Sequence, residues 1–328
     1  MSYDPNETAG NQAPLRSLLF VPGTKTEWLA KAEASGADAA ILDLEDAVAD
    51  EDKPAARARV VEALAHRSGS ARNTTDYGNT GASGESGDMA LFVRINPLGA
   101  WSAVEELRAV ARPGLTGLVL PKVQSEQEVR TADRLLTWCE HEHGLPEGSI
   151  ALVPLLETAK ALRNAHDITA AASRVAYAGA VTAPGGDVER AIGYRWSRKG
   201  TETLALRSRV LLDVRAAGIA NPVSGLWTHI DDLTGLRRFA EQNRSLGYTG
   251  MMAIHPSHVP VLNEVFSPQS AELARAERLI AAVRQAQAEG AGAVTFEGQM
   301  VDEAMAATAQ QLLKKHRQQR RPRTGEDG

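Results

Sequence analysis

Between residues 16 and 256 the chain alternates eight short, nearly uninterrupted apolar runs with stretches of helical periodicity. The runs are RSLLFVPG (16–23), AAILDLED (39–46), LFVRINP (91–97), GLVLPKV (117–123), ALVPLLET (151–158), RVAYAGA (174–180), NPVSGLW (221–227) and GMMAIHP (250–256). Helical patterns occupy 25–35, 53–66, 101–111, 125–142, 159–171, 202–217 and 231–246, and a further one spans 270–288. A strand that is apolar along its whole length is covered on both faces, and strands separated by helices pair in parallel. Eight such units, without a GxGxxG fingerprint after the first strand, predict a closed (β/α)8 TIM barrel with a C-terminal helical lid extension. A doubly wound open sheet is the alternative.

Punctuation and composition set the domain limits. Residues 1–14 are polar and read as a disordered N-terminus, 15–266 as the barrel, 267–316 as a helical lid segment and 317–328 as a solvated tail. Within the barrel, 68–88 is rich in Gly, Ser, Asn and Thr and lacks apolar periodicity, which predicts a flexible insertion; no Gly-Lys-Ser/Thr pattern marks it as a phosphate loop. A net charge of −5 argues against binding nucleic acid or a membrane surface through charge. No apolar run approaches the roughly 20 residues of a spanning helix, and the polar start lacks the apolar centre of a signal peptide. The single cysteine, Cys139, cannot form an intrachain disulfide, and no Cys/His spacing suggests zinc. The composition reads as that of a soluble cytoplasmic protein.

In a barrel of this kind the chemistry gathers at the C-terminal ends of the strands. Polar residues end several of the runs: Asp43, Glu45 and Asp46 after the second, Arg94 and Asn96 after the third, Lys122 after the fourth, Glu157 after the fifth and His255 after the eighth. Such a carboxylate-rich rim with basic groups suits an anionic substrate held partly through a hard cation.

RSLLFVPG, ILDLEDAV followed by Lys53 and Arg57, VRINP, GLVLPKV, LVPLLETA and AIHPSHV, in this order, resemble the citrate lyase β-subunit and malyl-CoA lyase family from about Arg16 to Phe266, with a weaker echo near 298–305. The resemblance implies a TIM-barrel carbon–carbon lyase that depends on Mg2+. It would cleave or condense a 3-hydroxyacyl-CoA thioester of the malyl-CoA or citramalyl-CoA type, giving an acyl-CoA and an α-keto acid. CoA enters as part of the substrate, and assembly as a homotrimer or a multiple of it is implied.

Carried residue by residue, the resemblance makes Glu157 and Asp187 the metal ligands, with Glu157 also facing the substrate. Mg2+ favours oxygen donors, typically one or two carboxylates completed by water and substrate. Asp187 lies in APGGDVERAIG, eight residues after Gly179 rather than the family's usual three, so AVTAP reads as an insertion; its alternative role is to cap the helical turn that follows. Arg94 resembles the family's substrate arginine, whose planar fork grips a carboxylate through two parallel hydrogen bonds; pairing with Asp43, Glu45 or Asp46 is the structural alternative. Arg16 is either a second substrate arginine or a clamp at the barrel base. Glu45, Asp46 and Lys53 form a charge cluster behind the ligands: the two acids would order water around the metal or orient Arg94, while the simplest role for Lys53 is to neutralise them. His255 and Lys122 read as struts, since a Schiff base at Lys122 would need a depressed pKa.

Asp302 opens EAMAATAQQLLKKH as an evident helix N-cap. GQMVDEA also resembles the family's C-terminal lid, where an aspartate enters a neighbouring subunit's site and transfers a proton, so the resemblance makes Asp302 catalytic together with Arg94. Three alternatives stay open: a CoA-independent aldolase acting on free 2-keto-3-hydroxy acids, a non-catalytic ligand-binding relative, and the β-subunit of a multi-subunit citrate lyase.

Overall fold

The computed structural model describes residues 13–72 and 89–320. Eight parallel strands form the wall: β1 Ser17–Pro22, β2 Ala39–Asp43, β3 Ala90–Arg94, β4 Gly117–Leu120, β5 Ala151–Leu156, β6 Gly179–Ala180, β7 Val223–Ser224 and β8 Gly250–Ala253. Each falls on one of the apolar runs, β3 beginning one residue before its run. Around them run helices α1 Leu29–Ala34, α2 Lys53–Arg72, α3 Ala103–Val110, α4 Glu126–His143, α5 Ala159–Arg163, α6 Ala165–Thr169, α7 Asp187–Ile192, α8 Leu204–Ala216, α9 Leu233–Leu246 and α10 His258–Phe266. The expected helix at 159–171 is broken into α5 and α6 at Asn164. Helix α2 continues through residues 68–72, the first part of the expected insertion; residues 73–88, 1–12 and 321–328 lie outside the described residues.

Strand order is β6-β5-β4-β3-β2-β1-β8-β7. The ring closes where β7 meets β6: Val223 N donates to Ala178 O (3.0 Å) and Gly225 N to Ala180 O (3.1 Å). The wall is therefore a (β/α)8 TIM barrel. At this closure the backbones lie so near that a Cβ on Gly179 would fall 2.0 Å from Val223 O.

Side chains alternate between two apolar layers, as the two-residue period of a strand demands. Leu18, Ile41, Phe92, Val119, Val153 and Leu155 fill the barrel interior. Leu19, Leu42, Leu91, Val93, Leu118 and Leu152 point outward into the layer beneath the helices. Two residues beyond an inward position the parity recurs, so Phe20, Asp43, Arg94 and Glu157 follow Leu18, Ile41, Phe92 and Leu155 into the barrel mouth.

After the barrel come α11 Ser270–Ala288, a hairpin of β9 Ala293–Phe296 and β10 Gln299–Asp302, and α12 Glu303–Arg320. The hairpin is an addition to the helices expected here; its turn places Glu297 (φ 48°) and Gly298 (φ 78°) in the left-handed region, as a two-residue hairpin turn requires. Ala276, Leu279, Ile280, Val283, Val301 and Ala306 give this segment a small core of its own. Among the described residues no helix is long and apolar enough to cross a membrane.

Gly179→Ala should force β6 from β7 and destabilise the protein by about 3 kcal/mol, read as a lower urea midpoint at unchanged slope.

Candidate active site at the barrel mouth

Opposite one another in the β2–β3 register, Asp43 and Arg94 both point inward. Arg94 donates from Nε to Asp43 Oδ1 (2.7 Å) and from Nη2 to Oδ2 (2.6 Å), a two-point grip, and its plane lies over the Phe20 ring at 4.8 Å. Asp43 Oδ1 also accepts from Glu45 N (3.0 Å), turning the chain so that Glu45 folds back toward the same cluster. Glu45 is only 3% exposed and faces two cations: Oε2 lies 3.0 Å from Arg94 Nη1, and Oε1 lies 2.6 Å from Lys122 Nζ. Lys122 Nζ continues to Asp46 at 3.0 Å. A chain of alternating charge thus runs Asp43–Arg94–Glu45–Lys122–Asp46 around the rim.

Burial works against charge on both cations, but hydrogen bonds and attraction from the surrounding carboxylates prevail and raise both pKa values. Lys122 is accordingly held as an ammonium, the state opposite to that of a Schiff-base lysine. Burial raises the Glu45 carboxyl above its ordinary range despite Arg94 and Lys122.

Glu157 follows β5 and is 5% exposed. The next residue, Thr158, caps α5 by accepting from Ala161 N (3.0 Å), which fixes the chain just past the carboxylate. Glu157 Oε1 accepts from Lys122 N at 2.7 Å. Burial, with repulsion from Glu45 and Asp187, pushes Glu157 up to about 7, against the Lys122 N–H and Arg94.

Asp187 begins α7, and Gly186 rather than Asp187 holds the cap position. The loop before it is tight: Gly186 N donates to Ala183 O (3.2 Å), Gly185 sits at φ 70°, and Gly185 N donates to Glu189 Oε2 (2.7 Å). Asp187 is ion-paired with Arg190. Asp187 and Glu157 line one cavity of about 430 Å3 together with Asp43, Asp46 and Arg94, and Phe20, Leu155, Val181, Leu226 and Ile254 supply an apolar lining.

Here five carboxyl groups (Asp43, Glu45, Asp46, Glu157 and Asp187) meet three cations (Arg94, Lys122 and Arg190), which leaves two negative charges over once every carboxyl is ionised. Hard oxygen donors with that excess suit a divalent ion such as Mg2+. Among the described residues no cluster of three or more His, Cys, Asp or Glu is arranged to hold a metal; Glu157 and Asp187 line the cavity as two carboxylates that could offer oxygen donors.

Three expected site residues, Arg16, Lys53 and Asp302, stand elsewhere, and His255 is the strut expected of it. Arg16 precedes β1 and is therefore at the opposite end of the barrel. It grips Asp38 from Nε (2.9 Å) and Nη2 (2.7 Å) and donates to Ser267 Oγ (3.0 Å), tying β1, β2 and the end of α10 together. It is the base clamp and not a substrate arginine. Lys53 turns from Glu45 and Asp46 to Asn96 Oδ1 (2.8 Å) and Asp50 (2.7 Å), because it opens α2 one turn beyond the loop. Asp302 is exposed and caps α12, its Oδ1 accepting from Met305 N (3.2 Å); it does not line the cavity of its own subunit. His255 Nδ1 is 2.7 Å from Ser257 Oγ, the arrangement of a strut. The sequence reading undervalued Asp43, whose inward parity after Ala39 and Ile41 was the available signal.

The pattern of the HpcH/HpaI aldolase/citrate lyase family matches residues 16–256. This chain belongs to that family. It is a carbon–carbon lyase of a group tied to CoA thioesters. Its relatives include a citrate lyase subunit beta-like protein of Deinococcus radiodurans, 36% identical over 92% of this chain and 97% of the relative. A (3S)-malyl-CoA thioesterase of Cereibacter sphaeroides is 32% identical over 92% of this chain and 94% of its own. Among solved structures, the protein CitE from Mycobacterium tuberculosis in complex with magnesium, acetoacetate and coenzyme A is 28% identical, with a TM-score of 0.67 over 93% of this chain and 98% of that one.

The raised Glu157 pKa has a stability consequence. Below the ordinary carboxyl value of 4.5 both folded and unfolded states carry the proton; between 4.5 and about 7 the unfolded chain ionises while the folded carboxyl keeps its proton. Stability is therefore full at the acid end and lost as pH rises through about 7. In urea titrations with chelator present, wild type should lose on the order of 3 kcal/mol relative to Glu157→Gln between those pH values.

Proposed function

We propose that this lyase cleaves, or in reverse forms, the carbon–carbon bond of a 3-hydroxyacyl-CoA thioester, giving an acyl-CoA and an α-keto acid, with Mg2+ bound by Glu157 and Asp187. The observation that carries this reading is the meeting of those two carboxylates with Arg94 in one small cavity. Magnesium, a keto acid and coenzyme A bound together in the M. tuberculosis relative support it.

The reaction needs the 3-hydroxyl proton removed, the bond to the α-carbon of the thioester broken and the resulting enolate protonated. When bound, the divalent ion supplies positive charge to the carboxylate and developing keto oxygen of the keto-acid half. Arg94 holds the same carboxylate. A guanidinium has five N–H donors; two bind Asp43 and a third faces Glu45, which leaves two for substrate. Asp43 and Glu45 fix the plane of Arg94, so the fork is oriented before the substrate arrives. Phe20, Leu226 and Ile254 exclude water around the acyl half.

Proton exchange at the enolate carbon falls to Asp302, brought by the C-terminal segment of a neighbouring subunit in a homotrimer. Asp302→Asn should fold normally, since Asn also caps helices well, and should lose roughly 10²–10⁴-fold in turnover. Unchanged turnover would reduce Asp302 to a cap.

The decisive assay supplies acetyl-CoA and glyoxylate with Mg2+ and follows the 3-hydroxyacyl-CoA by mass spectrometry. Product should form, vanish with chelator and fall in Glu157→Gln and Asp187→Asn, with Mg2+ affinity lowered at least about tenfold in each. Consumption of pyruvate plus an aldehyde without CoA would replace the reading with a CoA-independent aldolase. Release of free CoA with malate would add a hydrolytic step.

A further inference from the structure

Lys122 departs from the backbone around it. Its φ of 50° lies in the left-handed region, which residues other than Gly, Asn and Asp seldom enter. The N–H belongs to the Pro121–Lys122 peptide plane, and φ sets how that plane stands relative to the Lys122 side chain and the chain beyond it. With φ at 50° the N–H meets Glu157 Oε1 at 2.7 Å while the side chain reaches the loop after β2, and Glu157 Oε2 accepts no hydrogen bond among the described residues. The side chain explains how the conformation is held: Nζ is anchored by Glu45 Oε1 at 2.6 Å and Asp46 Oδ1 at 3.0 Å, both on the loop after β2. An unfavoured backbone geometry is thus tethered at one end and used at the other, the pattern expected where strain serves a site.

We infer that Lys122 is a positioning residue for Glu157: its left-handed peptide fixes one carboxylate oxygen and turns the other toward the cation. The inference rests on the reading of Glu157 as a metal ligand. The ammonium acts at a distance, as a tether for the peptide, so the charge cluster on the β2 loop sets the orientation of a carboxylate carried by β5. A carboxylate held by one N–H keeps its plane and rotamer before metal arrives, and supports of this kind govern metal affinity.

Isothermal titration with Mg2+ alone tests it on Lys122→Gly, Lys122→Asn, Lys122→Gln and Lys122→Val. All four remove the ammonium, yet only Gly and Asn readily accept the left-handed backbone. Gly and Asn should stay within about threefold of each other, and Gln and Val should bind about tenfold more weakly than either. Asn against Gln keeps the comparison readable if the Val variant does not fold. Equal affinity in all folded variants would overturn the inference. Glu157→Gln is titrated alongside: if it binds like wild type, the ligand assignment fails and the inference with it; if it loses binding while the Lys122 variants are alike, Lys122 alone loses its role.

Discussion

Asp43 and Arg94 face each other across neighbouring strands, and their two-point contact inside the barrel is the interaction on which the mouth is built. An arginine with only 12% of its side chain exposed keeps its charge, and a matched acid offsets the cost of burying it. Once Asp43 takes one edge of the guanidinium, Glu45 can occupy the next position, Lys122 can bridge Glu45 to Asp46, and the Lys122 peptide can reach Glu157. Removal of Arg94 would leave Asp43 and Glu45 buried without their shared cation, and removal of Asp43 would leave Arg94 held by Glu45 alone. The positive groups are engaged from the side and behind, which leaves two N–H groups of Arg94 as the open end of the chain.

The excess of negative charge is concentrated where β5 and β6 end. Glu157 has little water around it and two acids close enough to repel it, so without an added cation it retains a proton up to about 7. Asp187 is served by Arg190 in the same loop. On the proposed reading a divalent ion would compete with that proton for the Glu157 carboxylate, and the strength of metal binding would follow pH through that competition.

Much of the architecture was legible because a wall strand is apolar on both faces and a barrel repeats it eight times. Inward and outward parity could also have been counted, and counting from Ala39 and Ile41 reaches Asp43. Glu157 and Arg94 were legible by motif; their immediate partners were not, since an ion pair between strands depends on register. Arg16 heads the first run, which in a parallel barrel is the end away from the mouth, so strand direction already favoured the base clamp over a substrate contact. Lys53 misled because nearness in sequence to Glu45 and Asp46 hid a reversal of direction at the start of α2. The left-handed peptide of Lys122 had no sequence signal at all, as the residue is not one that favours it. The β9–β10 hairpin is too short and too exposed for periodicity to reveal.

The clamp of Arg16 on Asp38 and Ser267 fastens the foot of the barrel without sharing a residue with the ion chain at its mouth. Cohesion and chemistry are thereby assigned to separate floors of one building. Loops on the upper floor can be recut to admit a different substrate while the foundation stays fastened, which makes this scaffold a permissive host for changes of specificity through evolutionary drift.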